Sequence, residues 1–419
     1  MRNAVLCGAL LAGLGMNKTV TVDIAIFGGG IAGLWLLNRL RAAGYSALLL
    51  ESGALGGGQT CKSQGIIHGG MKYALTGSLN ADVLAMADMP DIWRACLEGK
   101  GEVDLSEVPV LSKHQYLWSP QRFTSKLTGF LAGAALSSKV ESVPKQQYPE
   151  IFQHPSFKGE IYSLNEMVLD VPVLIRELAK SDQDAVYQIE PLNDEELKFD
   201  HDGRLLSATV YSAGRAVDII AQHFVFTAGS GNEVIIKKLK MDTLAMQLRP
   251  LHMVMVHVPF DLPVYAHCMG LGARPRITIT THHTQSGKTV WYLGGSIAEE
   301  GVSRTQEEQA QAARAELESL FPWLDFSAAK FASFYVDRAE PKQRGMLKPE
   351  TSYAKTIQNM TIAWPTKLAL APKLAAEIMA ILTKSQLAPQ VFDTRSLRAW
   401  PMPPVAIPVW EEAFCKREK

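Results

Sequence analysis

The most regular alternation of apolar and polar segments lies between residues 20 and 51. Residues 20–27 (VTVDIAIF) form a β-branched, apolar run that fits a buried parallel strand. Three glycines follow, and residues 31–43 then carry apolar side chains at most positions. Residues 47–51 (ALLLE) resume a strand-like run. This order of strand, glycine turn, helix and strand predicts a βαβ unit.

Further strand-like and helix-like segments alternate along the rest of the chain. Asp170 is a suitable N-cap for one predicted helix, and Thr305 or Ser303 for another. The pattern predicts strands at residues 196–199, 205–211, 224–227 and 360–364, more strands between 247 and 298, and helices at 81–98, 119–136, 170–180, 304–320 and 368–382. The last predicted strand and helix repeat the pattern of an apolar strand followed by an apolar helix that opens the first βαβ unit. A strand-rich region lies between the two.

This arrangement predicts an α/β fold in which a discontinuous, Rossmann-like nucleotide-binding domain carries an inserted substrate domain with a mixed sheet. Residues 1–16 are either a leader or an extension ahead of a natural start at Met16. We favour the second interpretation because no clear cleavage site precedes the first strand. The predicted boundaries are residues 17–85, 155–240 and 340–385 for the nucleotide-binding domain, 86–154 and 241–339 for the substrate domain, and 386–419 for a proline-rich tail.

Composition and charge narrow the class of protein. Apolar residues make up 47% and charged residues 20%, which is ordinary for a folded globular chain. The 42 basic and 42 acidic side chains cancel, so the net charge does not favour a nucleic-acid partner. The five cysteines include no CxxC pair, which argues against a disulfide framework and favours a reducing compartment.

No apolar run is long enough to span a bilayer. We therefore expect a cytoplasmic protein, and peripheral membrane association stays open.

Residues 28–33 (GGGIAG) match the dinucleotide-binding fingerprint GxGxxG at a strand-to-helix junction. In this fingerprint Gly28 permits a tight turn, Gly30 lets the backbone approach a pyrophosphate, and Gly33 lets the helix pack closely on the strand. The start of the helix supplies N–H groups and a positive potential for phosphates. Glu51, at the end of the next strand, can accept hydrogen bonds from ribose hydroxyls. These features predict a dinucleotide site without separating NAD from FAD.

The segment after Glu51 stays glycine-rich and extended, where a plain NAD domain would turn into its next helix. At this point the sequence resembles the D-amino-acid-oxidase superfamily of flavoenzymes. That superfamily includes glycine and sarcosine oxidases, 2-hydroxyglutarate oxidases and flavin-dependent glycerol-3-phosphate dehydrogenases. The resemblance is carried by the first 85 residues, the helix from Asp170, and residues 224–231 (FVFTAGSG), 335–341 (YVDRAEP) and 366–372 (TKLALAP).

The resemblance implies FAD as the cofactor and assigns contacts to it along the chain. Lys367 departs from the family pattern, in which glycine is common at this position. A lysine there would either stabilise an anionic reduced flavin or point into solvent. The implied cofactor-binding residues are Gly28, Gly30, Ile31, Ala32, Gly33, Glu51, Ser52, Gln59, Thr60, Ser63, Gln64, Gly65, Ala228, Gly229, Thr366 and Lys367.

Two residues are predicted to act on the substrate. His68 is a candidate acid/base catalyst, because histidine exchanges protons near neutral pH and oxidation of an alcohol requires removal of the hydroxyl proton. A structural histidine in a glycine turn is the alternative. Arg338 matches, by resemblance, the arginine that holds a substrate carboxylate or phosphate. A salt bridge to Asp337 or Glu340 is the alternative for Arg338.

Other histidines and one tyrosine are weaker candidates. His252 and Tyr292 lie on predicted strands of the substrate domain, where they either line the pocket or are ordinary sheet residues. His282 and His283 are adjacent but lack a third ligand, so the sequence predicts no metal site.

The sequence therefore predicts an FAD-dependent oxidoreductase that oxidises a small, anionic substrate at a CH–OH or CH–NH carbon by hydride transfer to the flavin. Residues 67–70 (IHGG) are most similar to the alcohol-oxidising branch, which favours a hydroxy acid or polyol phosphate. The electron acceptor is oxygen, a quinone or a carrier protein. The alternatives are an amine or amino-acid oxidase of the same superfamily, an NAD dehydrogenase, and a catalytically silent FAD-binding protein.

Overall fold

The structure of the protein is a computed structural model that describes residues 17–69, 86–120, 140–239, 244–270, 274–343, 351–387 and 391–415. Residues 1–16 and nearly all of the helix predicted at 119–136 lie outside these ranges. The described strands are β1 (Lys18–Phe27), β2 (Ala47–Glu51), β3 (Ile66–Ile67), β4 (Val110–Ser112), β5 (Gln115–Trp118), β6 (Val140–Ser142), β7 (Ile161–Leu164), β8 (Met167–Leu169), β9 (Val186–Gln188), β10 (Leu197–Phe199), β11 (Leu205–Ser212), β12 (Arg215–Phe226), β13 (Met246–His257), β14 (Ala266–Met269), β15 (Pro275–His283), β16 (Thr289–Gly294), β17 (Lys330–Pro341), β18 (Tyr353–Ile357) and β19 (Met360–Trp364). The described α-helices are α1 (Ile31–Ala42), α2 (Met89–Leu97), α3 (Val171–Ser181), α4 (Asn232–Leu239), α5 (Ser296–Glu300), α6 (Gln306–Leu320), α7 (Ala371–Lys384) and α8 (Val409–Phe414).

The first large sheet is built around β1. This strand pairs in parallel with β2 on one side and with β12 on the other, and β2 pairs in parallel with β9. Two strands share the other side of β12: β11 pairs antiparallel with its first half, and β19 pairs in parallel with residues 224–226. The carboxyl ends of β1, β2, β12 and β19 therefore meet at one edge, which is where open α/β sheets bind their ligands.

Helix α1 is buried on nearly all sides. Only Arg39, Arg41 and Ala42 of its residues are not buried. Its apolar side chains pack with those of α3 and α7 in one core, and Trp35 contacts Trp93 of α2 with ring centroids 4.7 Å apart. Because its first two turns are enclosed on all sides, residues 31–37 are apolar throughout and not amphipathic, and the polar residues of α1 come only in its second half.

The second large sheet has the strand order β17-β13-β16-β15-β14-β5-β7-β6. Its pairs are antiparallel except for β14 with β5, and its longest pair runs from Met246 opposite Pro341 to His257 opposite Lys330. One side packs with α6 in a core that includes Trp291 and Leu293. The other side carries Met253 and Tyr292. We call it the loop-facing side, because it contacts the glycine-rich loop of residues 52–65.

Two smaller parts join the large sheets. Strands β3, β8 and β4 form a three-stranded sheet, and β8 follows β7 directly along the chain. The proline-rich tail pairs with the glycine-rich loop, since Leu55 N donates to Pro404 O at 2.8 Å and Ala406 N donates to Leu55 O at 3.0 Å. Further on, Trp410 of α8 stacks on His282 of β15 at 4.1 Å between ring centroids. The tail therefore contacts both halves of the molecule.

The predicted α/β fold with mixed sheets is confirmed, as are most predicted elements. Strands β2 and β19 have the predicted bounds, and both N-caps are present: Asp170 accepts from Val173 N, and Thr305 forms a capping box with Glu308. Most other bounds differ from the predicted ones by one or more residues, most clearly in two places. The strand predicted at 224–227 is only the end of the much longer β12, and residues 368–370 form a 3₁₀ turn ahead of α7. The domain boundaries stay predictions.

None of the helices within the described ranges combines the length and the apolar composition that crossing a membrane requires.

Candidate active site

The turn from β1 into α1 leaves no room for side chains. A Cβ atom on Gly33 would lie 2.0 Å from Gly28 O, and one on Gly28, where φ is +113°, would lie 2.6 Å from the carbonyl carbon of Thr227. Helix α1 starts without a side-chain cap and without an acidic residue in its first turn. Apart from Ile31 N, which donates to Thr60 Oγ1, the first amide groups and the positive end of the dipole are therefore available to an anion.

Glu51 fixes the adjacent end of β2. Its Oε2 atom accepts a hydrogen bond from Gly29 N at 2.6 Å, and its Oε1 atom accepts one from Gly53 N at 2.6 Å. Each carboxylate oxygen has a further lone pair, so both can also accept from the hydroxyls of a ribose. The carboxylate is thereby oriented at the edge where the sheet ends.

The glycine-rich loop runs from Glu51 to the second sheet and is held by hydrogen bonds near its middle and at its end. Near its middle, Thr60 Oγ1 accepts from Ile31 N at 3.2 Å, at the start of α1. At its end, Gln64 Nε2 donates to Tyr292 O at 2.8 Å and to Thr278 O at 3.2 Å. Tyr292 in return donates its hydroxyl to Lys62 O at 2.7 Å. The loop is therefore fixed to the loop-facing side of the second sheet.

Gln59 and Gly229 lie side by side near the end of β12. A Cβ atom on Gly229 would be 3.6 Å from Gln59 Nε2, which itself lies 3.5 Å from Ala339 O on β17. Ala228 N donates to Asn232 Oδ1 at 3.0 Å. Trp364 at the end of β19 donates Nε1 to Gly229 O at 3.1 Å. The structure thus brings together the glycine-rich loop, residues 228–229 and the end of β19, which leads to Thr366 and Lys367. The resemblance assigned residues of all three segments to the cofactor.

Thr366 and Lys367 follow β19. Thr366 has φ +60°, which is rare for a β-branched residue, and its hydroxyl donates to Thr351 O at 2.9 Å. The ammonium of Lys367 lies 3.2 Å from Met86 Sδ. Both interpretations of Lys367 stay predictions.

His68 lies directly after β3, where the glycine-rich loop ends. Its Nδ1 atom is 3.0 Å from Glu166 Oε2, and Gly69 N donates to Glu166 Oε1 at 3.1 Å. His267 of β14 approaches the same carboxylate, with Nε2 3.7 Å from Oε2, while its Nδ1 is 2.8 Å from Thr278 Oγ1. Glu166, in the turn between β7 and β8, therefore joins two histidines from distant segments.

The charge state of Glu166 sets the proton position on His68. Burial acts to raise the pKa of Glu166, but the charge of His68 and the hydrogen bonds from His267 and His68 outweigh it and hold that pKa well below its usual range. An ionised carboxylate only accepts hydrogen bonds, so His68 donates through Nδ1, and its Nε2 is the acceptor nitrogen of the neutral ring. No hydrogen bond of the described residues uses this Nε2.

Glu166 and His267 were not identified from the sequence. Glu166 lies 98 positions from His68, in a polar pair between two apolar runs, which is typical of an ordinary exposed turn. Potential ligand atoms of His68, Glu166 and His267 also lie within 4.8 Å of one another, which is close enough to hold a metal ion. We interpret the group as a hydrogen-bonded network, because the Nδ1–Oε2 distance of 3.0 Å is that of an ordinary hydrogen bond and Gly69 holds the second oxygen.

Arg338 lies on β17 opposite Arg249 of β13. Arg249 donates to both oxygens of Glu340, at 2.6 Å and 3.2 Å, whereas Arg338 NH2 is 4.0 Å from Glu299 Oε1. Three strands separate β17 from β14, which carries His267. Arg338 and His68 are therefore associated with different strands of the second sheet.

His252 and Tyr292 are both engaged within the protein. His252 contacts Gly301 O at 2.8 Å through Nδ1 and Ser333 Oγ at 2.9 Å through Nε2. Tyr292 is buried, and its hydroxyl holds the glycine-rich loop, as described above. These contacts account for both side chains without a substrate, and a direct role for either one stays a prediction.

Comparisons with known proteins agree with this geometry. A family model described as "DAO: FAD dependent oxidoreductase" matches residues 23–341. The chain is also 47% identical over 406 residues to the probable FAD-dependent oxidoreductase PA4991 of Pseudomonas aeruginosa, covering 95% of this chain and 100% of that protein. The chain belongs to the DAO family of FAD-dependent oxidoreductases. The crystal structure of the Pseudomonas protein matches with a TM-score of 0.82 at 43% identity, again over 95% of this chain and 100% of that one.

More distant structures share the fold. Glycine oxidase from Geobacillus kaustophilus has a TM-score of 0.61 at 16% identity, covering 90% of this chain and 98% of that one. L-α-glycerophosphate oxidase from Mycoplasma pneumoniae, with FAD bound, has a TM-score of 0.59 at 14% identity, covering 93% and 99%. At such identities the likeness concerns the fold alone, and it does not select between amine and alcohol substrates.

FAD is the cofactor of this DAO-family oxidoreductase, and the described residues fit it. The uncapped start of α1 suits the pyrophosphate, and the oriented carboxylate of Glu51 suits a ribose. Farther along the loop, Ser63 Oγ is buried and has no hydrogen-bond partner within the described ranges, which suits a polar ligand atom beside it. The predictions of FAD and of an oxidoreductase are confirmed, and the alternative of an NAD dehydrogenase is withdrawn.

Proposed function

We propose that this DAO-family protein oxidises a small, anionic substrate at a CH–OH carbon, of the hydroxy-acid or polyol-phosphate type. The position of His68 carries the proposal. Its imidazole lies at the end of the loop that follows Glu51, and its side chain is 28% exposed although its partner Glu166 is buried. One ring nitrogen contacts that carboxylate, which leaves the other as a proton acceptor.

The reaction needs a base beside the substrate hydroxyl. FAD, held by the residues described above, would supply the hydride acceptor. Neutral His68 accepts the hydroxyl proton at Nε2, which makes loss of the hydride easier, and the carboxylate of Glu166 stabilises the imidazolium that forms. The IHGG sequence around His68, similar to the alcohol-oxidising branch, supports the choice of CH–OH over CH–NH.

Arg338 supports the anionic character of the substrate. Its guanidinium is planar and permanently charged, and its side chain is 20% exposed on the sheet that contacts the glycine-rich loop. A carboxylate or phosphate is the chemical group that such a side chain binds best. The electron acceptor and the cytoplasmic location stay predictions.

Anaerobic reduction of the bound flavin tests this proposal. The holoenzyme is mixed with glycerol 3-phosphate, L-lactate, L-2-hydroxyglutarate, glycine and sarcosine in turn, and bleaching of the flavin absorbance is followed. We expect reduction by at least one hydroxy compound. We also expect His68→Asn to slow it by about 10²–10⁴-fold while FAD stays bound, because a general base contributes about that much. His201→Asn, in an exposed turn, is the matched control with an unchanged rate.

Three outcomes would contradict the proposal. Reduction only by glycine or sarcosine would replace it with amine oxidation. No reduction by any compound would favour a catalytically silent FAD-binding protein. An unchanged rate in His68→Asn would return His68 to a structural role.

A further inference from the structure

The carboxylate of Glu166 is contacted by three residues from two separate parts of the chain. His68 follows the glycine-rich loop, Gly69 is its neighbour, and His267 comes from β14 of the second sheet. The Glu166 side chain is only 3% exposed, so water does not compete for these contacts. A buried carboxylate that meets a partly exposed imidazole has a stronger electrostatic effect than the same pair at the surface.

We propose that Glu166 is the positioning residue of the base: it fixes the tautomer and orientation of His68, and His267 approaches the same oxygen of Glu166 as His68 does. This inference rests on the proposed function, since it takes His68 as the base. Glu166 itself contacts the histidine and not the substrate, so it acts on the reaction only through His68.

The geometry explains why one tautomer is selected. A proton on Nδ1 forms a hydrogen bond of 3.0 Å to Glu166 Oε2, whereas a lone pair on Nδ1 would face a negative oxygen at the same distance. The Nδ1–H tautomer is therefore strongly favoured, and Nε2 keeps its lone pair for the substrate hydroxyl. Gly69 N, bound to the other oxygen, prevents the carboxylate from rotating away.

Charged groups around His68 come from three elements. Glu166 lies in the turn between β7 and β8, and His267 on β14 has its second nitrogen held by Thr278 Oγ1. Arg94 of α2 donates to Asn165 Oδ1 at 2.7 Å, next to Glu166 in the sequence. Among these groups of the described residues, only Glu166 is negative. Removing its charge therefore makes protonation of His68 less favourable.

Glu166→Gln tests the inference, because glutamine keeps the size of the side chain and can still accept from Gly69. We expect the rate of flavin reduction to fall by about 10–100-fold, which is the usual loss when the residue that orients a functional histidine is replaced. We also expect the acidic limb of the pH–rate profile to move to lower pH, because the negative charge beside the base is lost. A purely structural residue would change stability without moving the limb.

NMR of the ring nitrogens gives a readout that needs no substrate. In holoenzyme with labelled histidine, His68 is assigned by its absence from His68→Asn. We expect the Nδ1–H tautomer in the unaltered protein, and a mixture of tautomers with a lower titration midpoint in Glu166→Gln. Glu316→Gln, which removes a paired carboxylate on α6, is the control with unchanged His68 signals.

The double variant separates this inference from the proposed function. If Glu166 acts through His68, adding Glu166→Gln to His68→Asn changes the rate little further. An unchanged tautomer, midpoint and pH limb in Glu166→Gln would overturn the inference even if His68→Asn is slow. A normal rate in His68→Asn would instead overturn the proposed function, whatever the NMR result.

Discussion

At the end of β1 the site is shaped by close backbone contacts, whereas on the loop-facing side of the second sheet it is shaped by polar side chains. In the first region the contacts join residues near in sequence: Gly29 and Glu51 are 22 positions apart, and Ile31 and Thr60 are 29 apart. In the second region Arg249 and Glu340 are 91 apart, and Gln64 and Tyr292 are 228 apart. The first region therefore depends on small residues in one motif, and the second on matched partners from distant segments.

The largest loss of stability is expected from breaking the buried ion pair of the second region. Glu340→Gln removes the charge that Arg249 contacts at 2.6 Å and 3.2 Å. We expect the free energy of unfolding to fall by about 3 kcal/mol, the lower end of the range for a broken buried pair, because the Arg249 side chain keeps 17% exposure. Urea unfolding of the FAD-saturated protein measures this change.

The control for that variant is an ion pair more open to water. Glu316 is 2.6 Å from Arg276, with side-chain exposures of 19% and 27%, so Glu316→Gln is expected to cost about 0–1 kcal/mol. Equal losses in the two variants would contradict the idea that buried partners hold the second sheet together.

The next effect concerns the first region and is steric. Gly33→Ala places a Cβ atom 2.0 Å from the backbone oxygen of Gly28, which cannot move without shifting β1. We expect a loss of about 1–3 kcal/mol in the free energy of unfolding, together with much weaker FAD binding. Fluorescence titration of the apoprotein with FAD measures the binding.

Gly58→Ala is the matched control for this change. It adds the same methyl group within the same glycine-rich region, but no atom lies within 4 Å of the new Cβ position. Its FAD affinity is expected to match that of the unaltered protein. Similar FAD affinities for Gly33→Ala and Gly58→Ala would mean that close packing at α1 does not position the cofactor.

The smallest effect tests the connection between the two regions. Tyr292→Phe removes the hydroxyl that donates to Lys62 O, and Tyr265→Phe removes one that donates to Thr281 O at 3.0 Å. Each is expected to cost about 1 kcal/mol of stability, because each loses one buried hydrogen bond. Only Tyr292→Phe releases the glycine-rich loop, so only this variant should raise the Kd for FAD. Raised Kd values in both would argue against a specific link through Lys62.

The sequence predicted the first region well, because its signals are local. The fingerprint at residues 28–33, the acid at Glu51 and the strand at 47–51 all lie within one βαβ unit. The N-cap at Asp170 was also predicted, because capping depends on neighbouring residues only. The long strand β12 was only partly predicted, because the sequence of its first half, which pairs with β11, mixes polar with apolar residues.

The second region was predicted poorly, for the opposite reason. Glu166 has no local feature that distinguishes it from an exposed turn residue, and Arg249 was not considered as a partner for Glu340. Gln64 was assigned to the cofactor by resemblance, whereas its side-chain amide donates to two carbonyls of the second sheet. Such pairings depend on how β13 to β17 align, and periodicity alone does not fix that alignment.

By itself the sequence determined the α/β fold class and the resemblance to flavoenzymes, and it predicted a dinucleotide site at residues 28–33 and Glu51. These follow from glycine spacing and apolar periodicity, which act over a few residues. Only the tertiary structure decided which carboxylate meets His68 and which side of the second sheet contacts the loop. It also decided that three strands separate the strand of Arg338 from the strand of His267. The physical reason is that a buried charge requires a partner at hydrogen-bond distance, and folding supplies that partner from any part of the chain.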